Sequence, residues 1–175
     1  MDDHDANPGI QSPGEGIADT YASLRLNTSC IGRNFKPIVC DGFGDACTEC
    51  TGVRDIDWAK HASGVPHDLN WVNATCGSSV HCRGQIIGET IYDLWNRDLT
   101  APPYNMDSNT AREFATQLTF QGSGPVGSWY TASDGCNADG GYLNFLAADD
   151  DDGDLTNGTP HMAAIFASFD RHGIA

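Results

Sequence analysis

Residues 80–97 read VHCRGQIIGETIYDLWNR and carry a strong periodic pattern. Their apolar side chains recur at the spacing of one helix face. These apolar positions are Ile86, Ile87, Ile91, Leu94 and Trp95. The pattern predicts a helix whose apolar side packs in a core, and Pro102-Pro103 beyond it indicates that the helix has ended by then.

Outward from this helix, the same reasoning predicts further helices on both sides. Ser12 and Pro13 suit a helix start, and strand signals are weak throughout. The other predicted helices cover 12–26, 108–120, 141–148 and a last segment between Thr159 and Gly173. Residues 27–80 are predicted to form a long, mostly irregular loop with a short helix near 55–62. The predicted fold class is therefore mainly α.

Composition limits what the chain can be. It has 175 residues and a net charge of −15, with 24 acidic residues against nine basic ones. That length suits a single domain over residues 1–175. A negative field of this size repels nucleic acid and anionic membranes and favours bound cations. We therefore expect neither a nucleic-acid partner nor a membrane partner.

The chain is rich in cysteine, which is typical of exported proteins because disulfides persist outside the cytosol. The seven cysteines are Cys30, Cys40, Cys47, Cys50, Cys76, Cys82 and Cys136. Those at Cys30, Cys40, Cys47 and Cys50 fit either disulfides or a structural zinc cluster. A disulfide between Cys76 and Cys82 would fix the turn before residues 80–97. The composition predicts a secreted or extracellular protein.

The amino terminus shows no apolar signal segment, since residues 1–5 read MDDHD. A secreted composition without such a segment predicts further sequence upstream, with Met1 as an internal start.

Residues 14–19 read GEGIAD and place two carboxylates four positions apart on one helix face. A carboxylate at Glu15 can bind a metal ion, and Asp19, one turn further on, can orient a histidine ligand. The same residues also fit a capping box, in which Ser12 and Glu15 bond each other's backbone N–H groups.

His81 stands at the start of the helix predicted for residues 80–97. An imidazole at that place can donate a hydrogen bond to a developing oxyanion, and the helix amino terminus favours negative charge nearby. A solvent-facing or core-satisfied histidine is the alternative.

Together, the GEGIAD and VHCRGQI motifs are similar to those of the thermolysin-like gluzincins, and most of all to the fungalysin branch. The similar stretches are roughly residues 8–26 and 78–97. The resemblance implies a helical carboxy-terminal subdomain of a zinc metalloendopeptidase, with long disulfide-stapled loops and a peptide or protein substrate. It implies Glu15 as a zinc ligand, Asp19 as the partner of a ligand histidine, and His81 as the residue that stabilises the tetrahedral intermediate.

The sequence departs from this family at two places. It contains no H-E-x-x-H, the helix motif that supplies the other two zinc ligands and the general base. The aspartate that orients the intermediate-stabilising histidine is also absent, because residues 75–79 read TCGSS. We expect the motif and the amino-terminal half of the enzyme to lie upstream. The chain alone is predicted neither to hydrolyse peptides nor to hold catalytic Zn²⁺ tightly.

An acidic loop reads DDDDGD at residues 149–154 and resembles part of a calcium loop. Asp150, Asp152 and Asp154 are the candidate Ca²⁺ ligands, although the EF-hand register fails and a solvated acidic loop fits as well. His161, which follows this loop, is a structural histidine or an alternative intermediate-stabilising residue.

Two further functions fit the sequence. One is a secreted, disulfide-stapled and calcium-stabilised binding module without catalysis, and the other is a degenerate metallopeptidase that keeps only the scaffold.

Overall fold

The computed structural model describes residues 14–35, 40, 42–124 and 140–175, and this part of the chain is mainly helical, which confirms the predicted class. Its α-helices are α1 (Gly14–Leu26), α2 (Leu69–Thr75), α3 (Val80–Asp93), α4 (Ser108–Gly122), α5 (Gly141–Asp149) and α6 (Met162–Arg171). Two short antiparallel strands, β1 (Cys30–Ile31) and β2 (Arg54–Asp55), pair across the loop. The predicted cap at Ser12 and the seventh cysteine, Cys136, lie outside the described residues.

Helix α3 is the centre of the fold. The Ser79 hydroxyl caps its start by accepting from the backbone N–H of Cys82, and its end continues into a π-helical turn, Leu94–Asp98. The predicted apolar stripe is buried, with Ile86 and Ile91 fully enclosed. The polar positions between them are also buried, so α3 is enclosed on nearly all sides and its charged residues need partners inside the protein.

Helices α1 and α3 come together at a glycine pair. A Cβ atom on Gly16 would lie 2.4 Å from the carbonyl oxygen of Gly84, and one on Gly84 would lie 2.5 Å from the nitrogen of Gly16. Only residues without a side chain allow backbones to approach this closely. The contact brings Glu15, next to Gly16, beside His81, which is one turn before Gly84.

The second half of the core packs around α4, α5 and α6. Helix α4 contacts α5, α5 contacts α6, and α6 contacts the π-helical turn after α3. Phe145 of α5 and Phe169 of α6 are fully buried with ring centroids 5.1 Å apart. Aromatic pairs at this separation stabilise a core beyond the area that they bury.

The long loop contains two differences from the sequence prediction. A single turn of 3-10 helix, Trp58–Lys60, replaces the helix expected near 55–62, because the chain becomes extended at His61. Helix α2 was not predicted, since its sequence LNWVNAT has low helix propensity. It is held instead by the Asp68 cap, which accepts from the backbone N–H of Trp71 at 2.8 Å, and by burial of Val72.

Three disulfides staple this region: Cys30–Cys50, Cys40–Cys47 and Cys76–Cys82. The alternative of a structural zinc cluster on the four cysteines between residues 30 and 50 is therefore wrong. The disulfide expected before α3, Cys76–Cys82, is present. Disulfides in this number suggest an extracellular or secreted protein.

Among the helices of the described residues, none combines the length and apolar character that spanning a membrane would require.

Candidate functional site

Glu15 and His81 come together where α1 and α3 begin. The Oε2 atom of Glu15 lies 3.3 Å from the Nδ1 atom of His81, and the two side chains are 38% and 46% exposed. Both groups are therefore open to solvent on one side and remain accessible to a ligand. Their predicted roles in zinc binding and catalysis stay predictions.

Asp19 lies one helical turn behind Glu15 and binds Arg54 of β2. The Nε atom of Arg54 donates to Oδ2 of Asp19 at 2.5 Å, and Nη2 donates to Oδ1 at 3.1 Å. The two side chains are nearly enclosed, at 10% and 12% exposed. Two parallel bonds of this kind fix the guanidinium in position. In the described residues, Asp19 thus orients an arginine, and its expected role toward a ligand histidine stays a prediction.

Arg54 is a site residue that the sequence analysis missed. Its Nη2 atom lies 3.5 Å from Nδ1 of His81, the same nitrogen that Glu15 contacts. The only sequence signal was an isolated basic residue in a strongly acidic chain, and the residue lies 35 positions from its partner Asp19. We call Glu15, Asp19, Arg54 and His81 the outer site.

The described polar contacts of the His81 ring come from α1 and β2. The Cys76–Cys82 disulfide closes the turn before α3, and the carbonyl of Gly77 in that turn accepts from the Arg83 side chain at 2.7 Å. The Nδ1 atom of His81 instead faces Glu15 and Arg54.

A second group of ionisable residues, which the sequence analysis also missed, lies deeper in the protein. It consists of Asp45, His61, His67 and Glu89, each less than 9% exposed, and we call it the inner cluster. Ligand atoms of Asp45, His61 and His67 lie within 4.8 Å of one another, which makes this group a candidate metal-binding site. Its first and last members, Asp45 and Glu89, are 44 residues apart in the chain, so no local motif predicts the cluster.

Electrostatics in the inner cluster favour the charged forms. Burial alone would lower the pKa of His67, but the carboxylates of Glu89 and Asp45 raise it above its ordinary value. Burial alone would raise the pKa of Asp45, but hydrogen bonds from Ser63 and His67, together with the charge of His61, lower it. These opposite directions show that a carboxylate and a cation stabilise each other here.

The acidic loop contains part of the predicted calcium set. Carboxylate oxygens of Asp150 and Asp152 lie within 4.8 Å of one another and of Asp151, whereas Asp154 is outside this group. Asp154 accepts from the backbone N–H and hydroxyl of Thr156, which lowers its pKa. A Ca²⁺ site here stays a prediction.

His161 has a structural environment. Its Nδ1 atom lies 2.8 Å from Oδ1 of Asp149, and its ring packs 4.3 Å from that of Phe114 and 5.2 Å from that of Tyr104. These contacts favour the structural interpretation of His161 over a role in the outer site.

Comparison with known proteins gives no relative. No protein-family model, no curated protein and no solved structure matches the chain.

Proposed function

We propose that this chain is the carboxy-terminal part of a secreted zinc metalloendopeptidase of the thermolysin and fungalysin type. The observation that supports the proposal is the convergence of Glu15 and His81, whose Oε2 and Nδ1 atoms are 3.3 Å apart at the junction of α1 and α3. The motifs GEGIAD and VHCRGQI, read separately, each fit a structural explanation. Their convergence in one solvent-open site favours a shared function.

The residues of the outer site suit a zinc ion, provided that other ligands complete it. Glu15 offers a half-exposed carboxylate, a ligand that zinc accepts. A catalytic zinc takes three protein ligands and a water, and in this proposal the other two ligands are histidines of an H-E-x-x-H helix outside these 175 residues. When bound there, zinc would serve as a Lewis acid toward the scissile carbonyl.

His81 would donate a hydrogen bond to the oxygen that becomes negative during peptide attack. Arginine always donates, so a hydrogen bond from Arg54 to Nδ1 of His81 leaves the proton of the neutral imidazole on Nε2. That tautomer presents an N–H donor to the oxyanion. If Glu15 bound a metal ion, its carboxylate would no longer accept a hydrogen bond from Nδ1 of His81. This would favour the tautomer that carries its proton on Nε2.

Arg54 would bind the peptide itself. The paired bonds to Asp19 hold its guanidinium beside His81, with Nη2 3.5 Å from Nδ1 of the imidazole. A fixed guanidinium donates readily to a peptide carbonyl, and such a contact would hold the scissile bond near His81. A substrate class follows from this chemistry, namely extended peptides with carbonyl groups available for hydrogen bonding.

The decisive experiment expresses the chain together with the coding sequence that precedes it in frame and measures cleavage of a casein-derived peptide library. We expect zinc-dependent hydrolysis that Glu15→Gln abolishes. We expect His81→Ala to lower kcat by about 100- to 1000-fold with little change in KM, as removal of an oxyanion donor does. The exposed Glu113→Gln serves as a matched control and should leave activity unchanged.

The 175-residue chain by itself should show no cleavage in the same assay. Hydrolysis by the longer protein that survives Glu15→Gln and His81→Ala would overturn the proposal. So would a folded longer protein without any peptidase activity, an outcome that would favour a binding module or a degenerate scaffold.

A further inference from the structure

The inner cluster has the arrangement of lone pairs that a metal site needs. The Nε2 atom of His61 lies 2.8 Å from the backbone carbonyl of Asp55, and a carbonyl can only accept, so Nε2 carries the proton. In the neutral ring, the buried Nδ1 atom then has a bare lone pair and no hydrogen-bond partner. It faces Oδ2 of Asp45 at 3.8 Å.

His67 is arranged in the same way with its two nitrogens exchanged. Its Nδ1 atom lies 2.7 Å from Oε1 of Glu89, and this contact is attractive only when Nδ1 carries a proton. Without a metal, its Nε2 atom also carries a proton and donates to Oδ2 of Asp45 at 3.1 Å, and a metal ion would displace this proton and bind the nitrogen. Two imidazole nitrogens and one carboxylate oxygen therefore lie within 4.8 Å of one another in a buried space, where a metal ion would take the place of the shared proton.

We propose that Asp45, His61 and His67 bind a divalent transition-metal ion, with Zn²⁺ as the ion that the donor set suits best. Two imidazoles and one carboxylate form a common zinc set, whereas calcium prefers oxygen ligands. Ligand atoms around a tetrahedral zinc lie about 3.3 Å apart, given bonds of about 2.0 Å. The separations of 3.1 Å and 3.8 Å in the cluster bracket that value.

The surroundings supply the remaining features of a metal site. Glu89 holds the outer nitrogen of His67 and the Asp55 carbonyl holds that of His61, which are the partners that orient metal-binding imidazoles. Ser63 donates its backbone N–H and hydroxyl to Asp45. A cavity of about 360 Å³, lined in part by Asp45 and His67, gives access and room for a water as fourth ligand.

The site is separate from the outer site in its ligands, although β2 connects the two. Arg54 points to the outer site, while the carbonyl of the next residue, Asp55, holds His61. A metal in the inner cluster would thus anchor the strand that carries Arg54. Its role would be structural, and it would not depend on the proposed peptidase activity.

The test titrates Zn²⁺ into the metal-stripped, folded 175-residue chain by calorimetry. We expect one-to-one binding, which Asp45→Asn and His61→Gln eliminate. Glu89→Gln should weaken it by about 10- to 100-fold, as loss of an orienting partner does. The exposed Glu113→Gln is a matched control outside both sites and should leave binding unchanged.

A second measurement does not depend on whether the variants fold. In ¹⁵N NMR of the wild-type chain, addition of Zn²⁺ should change the chemical shifts of Nδ1 of His61 and Nε2 of His67. The chemical shifts of the His161 nitrogens should stay unchanged. Absence of binding to the folded chain would overturn the proposal and identify the cluster as a proton-bridged ion network. Binding that Glu15→Gln removes and His61→Gln leaves intact would also overturn it, because the metal would then belong to the outer site.

Discussion

The outer site and the inner cluster each pair a glutamate with a histidine, yet water reaches the two pairs very differently. In the outer site, the side chains of Glu15 and His81 are 38% and 46% exposed. In the inner cluster, those of Glu89 and His67 are 0% and 3% exposed. An exposed ion pair contributes little to stability, whereas a buried one penalises the loss of either partner. Glu15 and His81 can therefore exchange each other for a ligand at little cost in stability. The side chains of the inner cluster must keep their partners for the fold to stay stable.

The largest expected effect comes from the same substitution made in both places. Glu89→Gln removes a fully buried charge beside His67 and should lower the free energy of unfolding by about 3 kcal/mol. Glu15→Gln should change it by no more than about 0.5 kcal/mol, because water screens that pair. Urea unfolding of the two metal-free variants, monitored by circular dichroism, measures the difference between their free energies of unfolding.

Both variants replace a carboxylate by an amide of the same shape, so each controls for volume in the other. Equal losses of stability would contradict the contrast between the two regions.

An intermediate effect is expected at the contact that forms the outer site. In Gly84→Ala, the new methyl group would meet the backbone of Gly16, which cannot move without shifting α1. Overpacking of this kind destabilises by about 1–3 kcal/mol, and it would also separate Glu15 from His81. Thermal unfolding together with the activity of the longer protein reports both consequences.

Gly88→Ala on the same helix is the matched control. Its methyl group would meet the side chain of Ile56 rather than a backbone, and alanine gains helix propensity over glycine. We expect the Gly88 variant to be nearer to wild type than the Gly84 variant. The reverse order would show that the glycine contact does not set the distance between α1 and α3.

The periodic parts of the fold could be predicted from sequence, and the loop could not. Residues 80–97 and 108–120 were predicted as helices because a helix that buries one face repeats its apolar residues with the helical period. Helix α2 was missed because a cap at Asp68 and the burial of Val72 override its weak local propensity. The disulfide pairing in residues 30–50 depends on how the loop folds back, which the spacing of cysteines does not reveal.

The candidate site divides in the same way. Glu15 and His81 were predicted because each lies in a short motif at a helix start. Arg54 and His61 were missed because their partners come from distant segments that meet only in the folded chain. Asp19, for example, lies 35 residues from Arg54. Local motifs therefore identify the residues that helices present to solvent, and they fail for clusters that tertiary packing assembles.

A third carboxylate, Asp93 at the end of α3, extends the comparison of Glu15 with Glu89, because it is buried like Glu89 but faces several cations. Arg97 and Arg171 each donate to it at 2.6 Å, and the Nε2 atom of His172 lies 3.4 Å away. The indole N–H of Trp58 donates to it as well. Burial alone would raise the pKa of Asp93, but the hydrogen bonds from His172 and Trp58, and the charges of His172 and Arg97, lower it below its ordinary value of 3.8.

This arrangement predicts that Asp93 stabilises the protein at neutral pH and that acid removes this contribution. A carboxylate whose pKa is lower in the folded state stabilises the protein above the unfolded pKa, and that contribution is lost as pH falls through the folded value. Unfolding free energies should therefore change little on this account from about pH 8 to 5 and fall below about pH 4. Asp93→Asn removes the titrating group, so its difference from wild type in unfolding free energy should be largest at neutral pH and shrink in acid.

Other aspartates titrate in the same range, and Asp151→Asn in the exposed loop should leave the wild-type profile unchanged. A difference between wild type and Asp93→Asn that stays constant from pH 7 down to pH 3 would show that Asp93 stabilises the fold by packing rather than by charge.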